Sequence, residues 1–398
     1  MEPVYNSHFR LPVWSPFWLK IGVQNNIPQP LLELKTKLHA VTDPRTGRAT
    51  RHTLLDILLI SICASLCGAQ SFTDIALFGR CQQDWFKTWL DLPHGIPSHD
   101  TFNRVFGLIN PTHFRDVFVA WTQSLRRAVA GEVVAVDGKT LRGSAAHDHG
   151  PLHLVNVWAS ANRLILGQWK VADHSNEITA LPQLLRALEL AGCTVTVDAL
   201  NCQKSVAKEI SEADADYVFA LKANHGTLHD EVKTFLDDAI ACGWRAGPPS
   251  FHETLEKAHG RIETRRYWIS EAIDWLADKP AWEKLRSVAV VEATREVRGH
   301  VSTERRYYLT SLPADAVRLA GAVRGHWEVE NCVHWVLDVQ MGEDACVLRQ
   351  SNAVQNLATL RVLTLNLLRR DRTEKCGVRA KQKAAGWSSR YLLHLLNF

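Results

Sequence analysis

No stretch of this chain is both long enough and apolar enough to cross a bilayer. The longest apolar run, Leu54 to Ala69, is 16 residues and contains Asp56. A spanning helix needs about 20 apolar residues, so this one is expected to be a buried helix. No charged start precedes an apolar centre, so no leader is expected, and no internal repeat or low-complexity tract is seen. Cysteine is present but not in pairs. The nine cysteines are odd in number and scattered, which excludes a small secreted disulfide scaffold and makes reduced thiols in a cytoplasmic protein the expectation. Cys63 and Cys67 lie four apart in the apolar run and read as core residues. A strong charge of one sign is also missing. The net charge is +4 with a sequence pI near 8.5, a mild excess that points only weakly to a polyanionic partner.

What is present is ordinary globular material, 46% hydrophobic and 22% charged over 398 residues, enough for two or three domains. Residues 1–30 carry five prolines and no clear period, an irregular lead-in. Residues 31–126 read as helices. Leu54, Leu55, Leu58 and Ile62 share a face, Ser71 to Asp74 opens a helix with a capping-box pattern, and Ser98 caps another whose apolar positions are Phe102, Val105, Phe106 and Ile109. The opposite face of that helix shows Asp100, Asn103 and Arg104. A helix-turn-helix relative and a plain bundle both fit this block.

Residues 127–224 alternate strands and helices. Val133 to Val136 is an apolar run, rich in valine, that ends in Asp137 and Gly138; Cys193 to Val197 repeats the design and ends in Asp198. Such runs are what strands buried on both faces look like. Further strands are expected over Leu152–Trp158, Leu164–Val171 and Asp216–Lys222, with helices over about Thr179–Ala191 and Gln203–Glu212. Three strands, helix, strand, helix, strand is the order of a ribonuclease-H-like mixed sheet. Residues 225–312 read as an insertion with β character, with strands over Ile262–Ile269, Ser287–Glu292 and Arg305–Leu309. Residues 313–398 complete the fold with helices. Between Arg361 and Lys383 stand eight Lys or Arg against Asp371 and Glu374.

The fold class expected is therefore α/β: a ribonuclease-H-like core with an N-terminal helical domain and a β-containing insertion. Asp137 and Asp198 would meet at one edge of the sheet. A third acid belongs on a late helix, where Glu328 and Glu330 both offer one. Hard oxygen ligands suit Mg²⁺ or Mn²⁺ better than zinc, and a pair of such ions serves in-line phosphoryl transfer. A lone aspartate after a strand is more often a turn residue, and a helical glutamate more often a solvated one. Lys139 and Arg142 could hold a phosphate or be surface cations. His147, His149 and His153 lack the companions a zinc site needs.

The motifs that settle the resemblance are Ile96 to Phe102, Val136 to Ser144, Ser175 to Pro182, Asp216 to Lys222, His259 to Arg265, and His326 to Asn331 followed by His334 to Val339. On these strings the chain resembles the DDE transposases of the insertion-sequence ISAs type, the family that includes the H-repeat-associated proteins. The resemblance implies a Mg²⁺-dependent DNA transposase, with Mn²⁺ a possible substitute, that cleaves and joins strands at the ends of an insertion sequence. Its partners would be the terminal inverted repeats, target DNA and a second copy in a synaptic complex, and its place the cytoplasm, at the nucleoid when bound. It also implies a triad of Asp137, Asp198 and Glu330, the Trp-x-x-Glu-Asn string selecting Glu330 over Glu328. Lys139, Arg142, Arg104, Arg261, His326 and the basic C-terminal segment would contact DNA. Glu328 and Asn201 stand where relatives commonly have glycine, and His225 where glutamine is common. A catalytically silent DNA-binding derivative and a stand-alone nuclease on the same core are the rival readings.

Overall fold

The computed structural model describes residues 29–46, 50–145, 150–171, 177–244, 249–258 and 260–396. The lead-in 1–28, His147, His149, the Ser175-Asn176 pair, His174 and His259 lie outside them.

The centre is a nine-stranded sheet. Its strands are β1 (Val133–Leu141), β2 (Leu152–Ala159), β3 (Leu164–Lys170), β4 (Thr194–Val197), β5 (Asp216–Leu221), β6 (Ser250–Ala258), β7 (Arg261–Ser270), β8 (Ser287–Val297) and β9 (His300–Thr310). The order across the sheet is β3-β2-β1-β4-β5-β9-β8-β7-β6. β1, β2 and β3 form an antiparallel meander, β4 and β5 run parallel to β1, and β9 returns antiparallel to β5. The first five strands are the ribonuclease-H-like order expected. Burial explains the composition of the inner strands: Val134, Ala135, Val136 and Val195 are fully buried, because helices cover both faces.

The expected β-containing insertion extends the core sheet. β6 to β9 prolong the same sheet, and the C-terminal half of β9, Tyr307 to Thr310, is the strand that pairs with β5. β6, missing from the sequence reading, is a mixed polar strand with Phe251 and Leu255 exposed. An edge strand with little burial carries little periodic signal.

The N-terminal helices include Leu54–Leu66, Phe72–Cys81, His99–Leu108 and Pro111–Leu125. Ser71 and Asp74 form the expected capping box, with N–H to side-chain oxygen distances of 3.1 and 3.0 Å, and Ser98 caps the third of these helices. Leu54–Leu66 is buried nearly all round and has no single apolar face. The cause is the long helix Ser351–Arg370, which packs against it and against His99–Leu108, Pro111–Leu125 and β3. Asn356 Nδ2 donates to the carbonyls of Phe106 and Ile109, at 2.7 and 2.9 Å. Asn366 receives the Ile165 N–H at 2.8 Å and donates to the Ile165 carbonyl at 2.9 Å. One helix thus ties the helical region to the sheet, and the apolar core runs through both.

Candidate metal centre and nucleic-acid cleft

β1 and β4 are parallel neighbours with Val136 opposite Val197. Asp137 and Asp198 are the next residue on each, so their backbones leave side by side, about 4.8 Å apart by strand spacing. β4 stops at Val197 while β1 runs on to Leu141. Asp137 therefore stands where its neighbour ends, in a notch at the sheet edge. Asp198 is held by the turn after β4: its Oδ1 accepts from the backbone N–H of Asn201 at 3.1 Å and from Asn201 Nδ2 at 3.0 Å.

The third acid arrives on the helix Ala316–Val329, capped by Asp315, which accepts from the N–H groups of Val317 and Arg318 at 3.0 Å. This helix lies across β1 and β4. Gly325 permits the approach, since a Cβ there would stand 2.8 Å from Val133 Cγ1. The helix then widens into π-helical turns, Glu330–His334 and Val336–Gln340. The Trp335 N–H reaches the Glu330 carbonyl and the Met341 N–H the Val336 carbonyl, the i to i+5 pattern that marks functional segments in many helices.

The widened turn puts Glu330 and His334 over the notch. His334 Nδ1 is 3.2 Å from Glu330 Oε2 and 3.6 Å from Asp137 Oδ2. One ligand atom from each of Asp137, Glu330 and His334 falls within 4.8 Å of the others. Asp198 stands beside this group and not within it. Glu328 points elsewhere: its Oε2 accepts from the Trp158 indole N–H at 3.4 Å. Two carboxylates converging at this range, with a third on the adjacent strand, are a donor set of hard oxygens that fits Mg²⁺ or Mn²⁺.

The remaining predicted residues are dispersed. Lys139 is 6% exposed and its ammonium is taken by Asp338 Oδ1, at 2.5 Å, and by Glu343 Oε2. A buried cation so paired is a strut between β1 and the π-helical segment, with no face left for a phosphate. Arg142 and Arg104 are exposed, and neither lines the cleft described next. Arg261 lines it. His326 donates to or accepts from Thr196 Oγ1 at 3.0 Å. Burial, opposed by the charge of Asp198, pushes its pKa down to about 4, so it is neutral at pH 7 and offers no positive charge to DNA. The basic C-terminal run is partly structural too. Arg361 is buried against the Gln70 carbonyl, Lys381 is buried on Asp371, and Arg369 stacks 5.0 Å from the Trp158 ring. His153 is bonded to Thr140 Oγ1 at 2.7 Å.

Two adjoining clefts flank the acids. One, of about 330 Å³, is lined by Glu330 and by Arg261, Arg265, Arg295, Arg306 and Arg324. The other, of about 140 Å³, holds Asp198, Lys222 and His326. They share Glu304, Arg306, Tyr308, Val323 and Trp327. Trp327 is 45% exposed, with the Arg306 guanidinium 4.8 Å from its ring centre. Except for Arg261, the cleft arginines were not singled out in the sequence, because alternation along β7, β8 and β9 brings them together only once the strands pair. His334 was missed as well, although it lies four residues after Glu330. Asn156 and Gln168, polar residues inside apolar strands, were the other available signal.

A mixed sheet in this order, with acids on or just after two central strands and a third on a covering helix, defines a ribonuclease-H-like core. A family model described as Transposase DDE domain matches residues 130–367, and one described as DDE_Tnp_1-associated matches residues 35–122. The chain belongs to the DDE transposase family. It is 44% identical over 293 residues to an uncharacterised protein in the dhlA 3′ region of Xanthobacter autotrophicus, covering 72% of this chain and 95% of that one. It is 35% identical over 373 residues to YhhI, an H repeat-associated protein of Escherichia coli (strain K12), covering 92% and 98%. A piggyBac transposase synaptic complex with hairpin DNA, solved by cryo-EM, is similar at a TM-score of 0.46 and 10% identity, over 92% of this chain and 81% of that one.

Proposed function

We propose that this protein cleaves and joins DNA strands at the ends of an insertion sequence, using Asp137, Asp198 and Glu330 with Mg²⁺ or Mn²⁺. The observation that carries the reading is the convergence of the Asp137 and Glu330 carboxylates beside the strand that bears Asp198. Their oxygens would hold the metal ions. Bound there, such ions activate a water or a 3′ hydroxyl and stabilise the leaving oxygen of an in-line phosphoryl displacement.

The chain's own residues do the rest. Asn201 fixes the Asp198 carboxylate through its Oδ1. Arg261, Arg295 and Arg306 on the strand wall, with Arg324 on the facing helix, are ion-paired to Glu263, Glu304 and Glu256 but, unlike Lys139, stay about half exposed, so they can exchange those partners for phosphates leading to the acids. Trp327 offers an exposed aromatic face on which a base at a frayed end can stack. Joining two ends requires two copies, so the working form is a homodimer on paired terminal repeats and target DNA.

The test is Mg²⁺-dependent nicking and strand joining on DNA that carries the element's terminal repeats. Asp137→Asn, Asp198→Asn and Glu330→Gln should each lower the rate by more than about a hundredfold, beyond the usual cost of losing a group that only supports a metal ligand. Glu328→Gln should stay near wild type. Undiminished activity in the first set rejects the triad. Binding of ends without any cleavage under Mg²⁺ or Mn²⁺ indicates a silent DNA-binding derivative, and cleavage without joined product indicates a nuclease.

A further inference from the structure

Asp137, Asn156 and Gln168 form a row across three strands. Asp137 is the register partner of Asn156, and Asn156 that of Gln168. Asn156 is fully buried and Gln168 is 5% exposed, so their amides lie in the core, where an unpaired polar group is costly. They are paired with each other and with His334. Gln168 Nε2 donates to Asn156 Oδ1 at 2.9 Å, and Asn156 Nδ2 faces His334 Nε2 at 3.3 Å.

We propose that His334 is a positioning residue that holds the Glu330 carboxylate beside Asp137 as an Nδ1–H donor, in the tautomer imposed by Asn156 and Gln168. The inference rests on the metal-site reading above and assigns His334 a part in it that is not a ligand's.

The chemistry runs along the row in one direction. An amide nitrogen only donates and an amide oxygen only accepts. Gln168 fills Asn156 Oδ1, so the Asn156 nitrogen is what His334 meets. His334 Nε2 must then accept. A neutral imidazole has one acceptor and one donor nitrogen, so the proton is on Nδ1, which faces Glu330 Oε2 at 3.2 Å. Glu330 itself is 59% exposed. A glutamate that open on a helix samples several rotamers, and the bond from His334 selects the one that meets Asp137. With Nδ1 protonated, a metal ion at Asp137 and Glu330 is bound through carboxylate oxygen alone. Both amides turned over would instead give Nε2–H and leave the Nδ1 lone pair free to ligate.

The two arrangements are told apart by ¹⁵N NMR of the full-length protein labelled at histidine, without metal. The expected result is a protonated Nδ1 and an unprotonated Nε2 for His334, assigned by loss of the signal in His334→Leu. An unprotonated Nδ1 overturns the proposal. A second measurement is Mn²⁺ affinity by electron paramagnetic resonance, with folding followed by circular dichroism. Asn156→Leu removes the donor to Nε2 and so releases the tautomer. It should weaken Mn²⁺ binding about tenfold, the cost of misorienting a ligand's support. Unchanged or tighter Mn²⁺ binding in Asn156→Leu rejects the positioning role. If the wild type binds no Mn²⁺, the metal reading fails, and the tautomer still decides the row.

Discussion

Lys139 shows most directly how a residue's surroundings reassign it. Two positions after Asp137, a lysine reads as a phosphate contact. Buried between Asp338 and Glu343, it is a structural ion pair. The two roles predict different losses. Lys139→Met leaves Glu343, 0% exposed at its side chain, as a buried charge without its cation. It should cost about 3–5 kcal/mol of stability, read from the urea midpoint. An unchanged midpoint with weakened DNA binding would restore the phosphate role. His326 is reassigned for a similar reason: the resemblance makes it a DNA contact, but burial, opposed by Asp198, lowers its pKa and keeps it neutral.

At the scale of elements, the helix Ser351–Arg370 carries the most consequence. Asn366 satisfies both the N–H and the carbonyl of Ile165 in the edge strand β3. Asn366→Ala leaves two buried backbone groups unpaired and should destabilise by about 2–4 kcal/mol, again by urea unfolding. At the end of this helix Asp371 ties down the C-terminal helices Val378–Trp387 and Ser389–Leu396. Its carboxylate accepts from the Thr373 hydroxyl and N–H and the Tyr391 hydroxyl, and it pairs with Lys381. Burial alone would raise its pKa, but these bonds outweigh burial and hold it well below the usual carboxylate range. A depressed folded-state pKa contributes stability that is complete above the unfolded value of about 4 and is lost as pH falls below it. Wild type should therefore lose stability below pH 4 more steeply than Asp371→Asn, which is weaker at neutral pH. Parallel pH profiles for the two would refute this.

For the whole molecule, the prediction is cooperativity. One apolar core joins the N-terminal helices, the sheet and the late helices. Far-UV circular dichroism and tryptophan fluorescence should report one coincident unfolding transition. Residues 31–126 alone should not fold, because Leu357, Leu360, Leu363 and Leu367 of the helix that completes their core are missing. A separate early transition, or a folded 31–126 fragment, would show an autonomous helical domain.

The sequence by itself determined the elements that local chemistry governs. Buried strands announced themselves through runs of valine before Asp137 and Asp198, helix starts through Ser71 and Ser98, and the order of elements through their alternation. The family strings likewise favoured Glu330 over Glu328. Tertiary structure decided what depends on pairing and packing. Only the register of β1, β2 and β3 puts Asn156 and Gln168 in line with Asp137. Only the packing of the late helix on β1 and β4 brings His334 and Glu330 beside Asp137 while leaving Glu328 against Trp158. Only the pairing of β9 with β5 makes the β-containing insertion the wall of a cleft. Each of these joins residues far apart along the chain, so no local pattern could carry it.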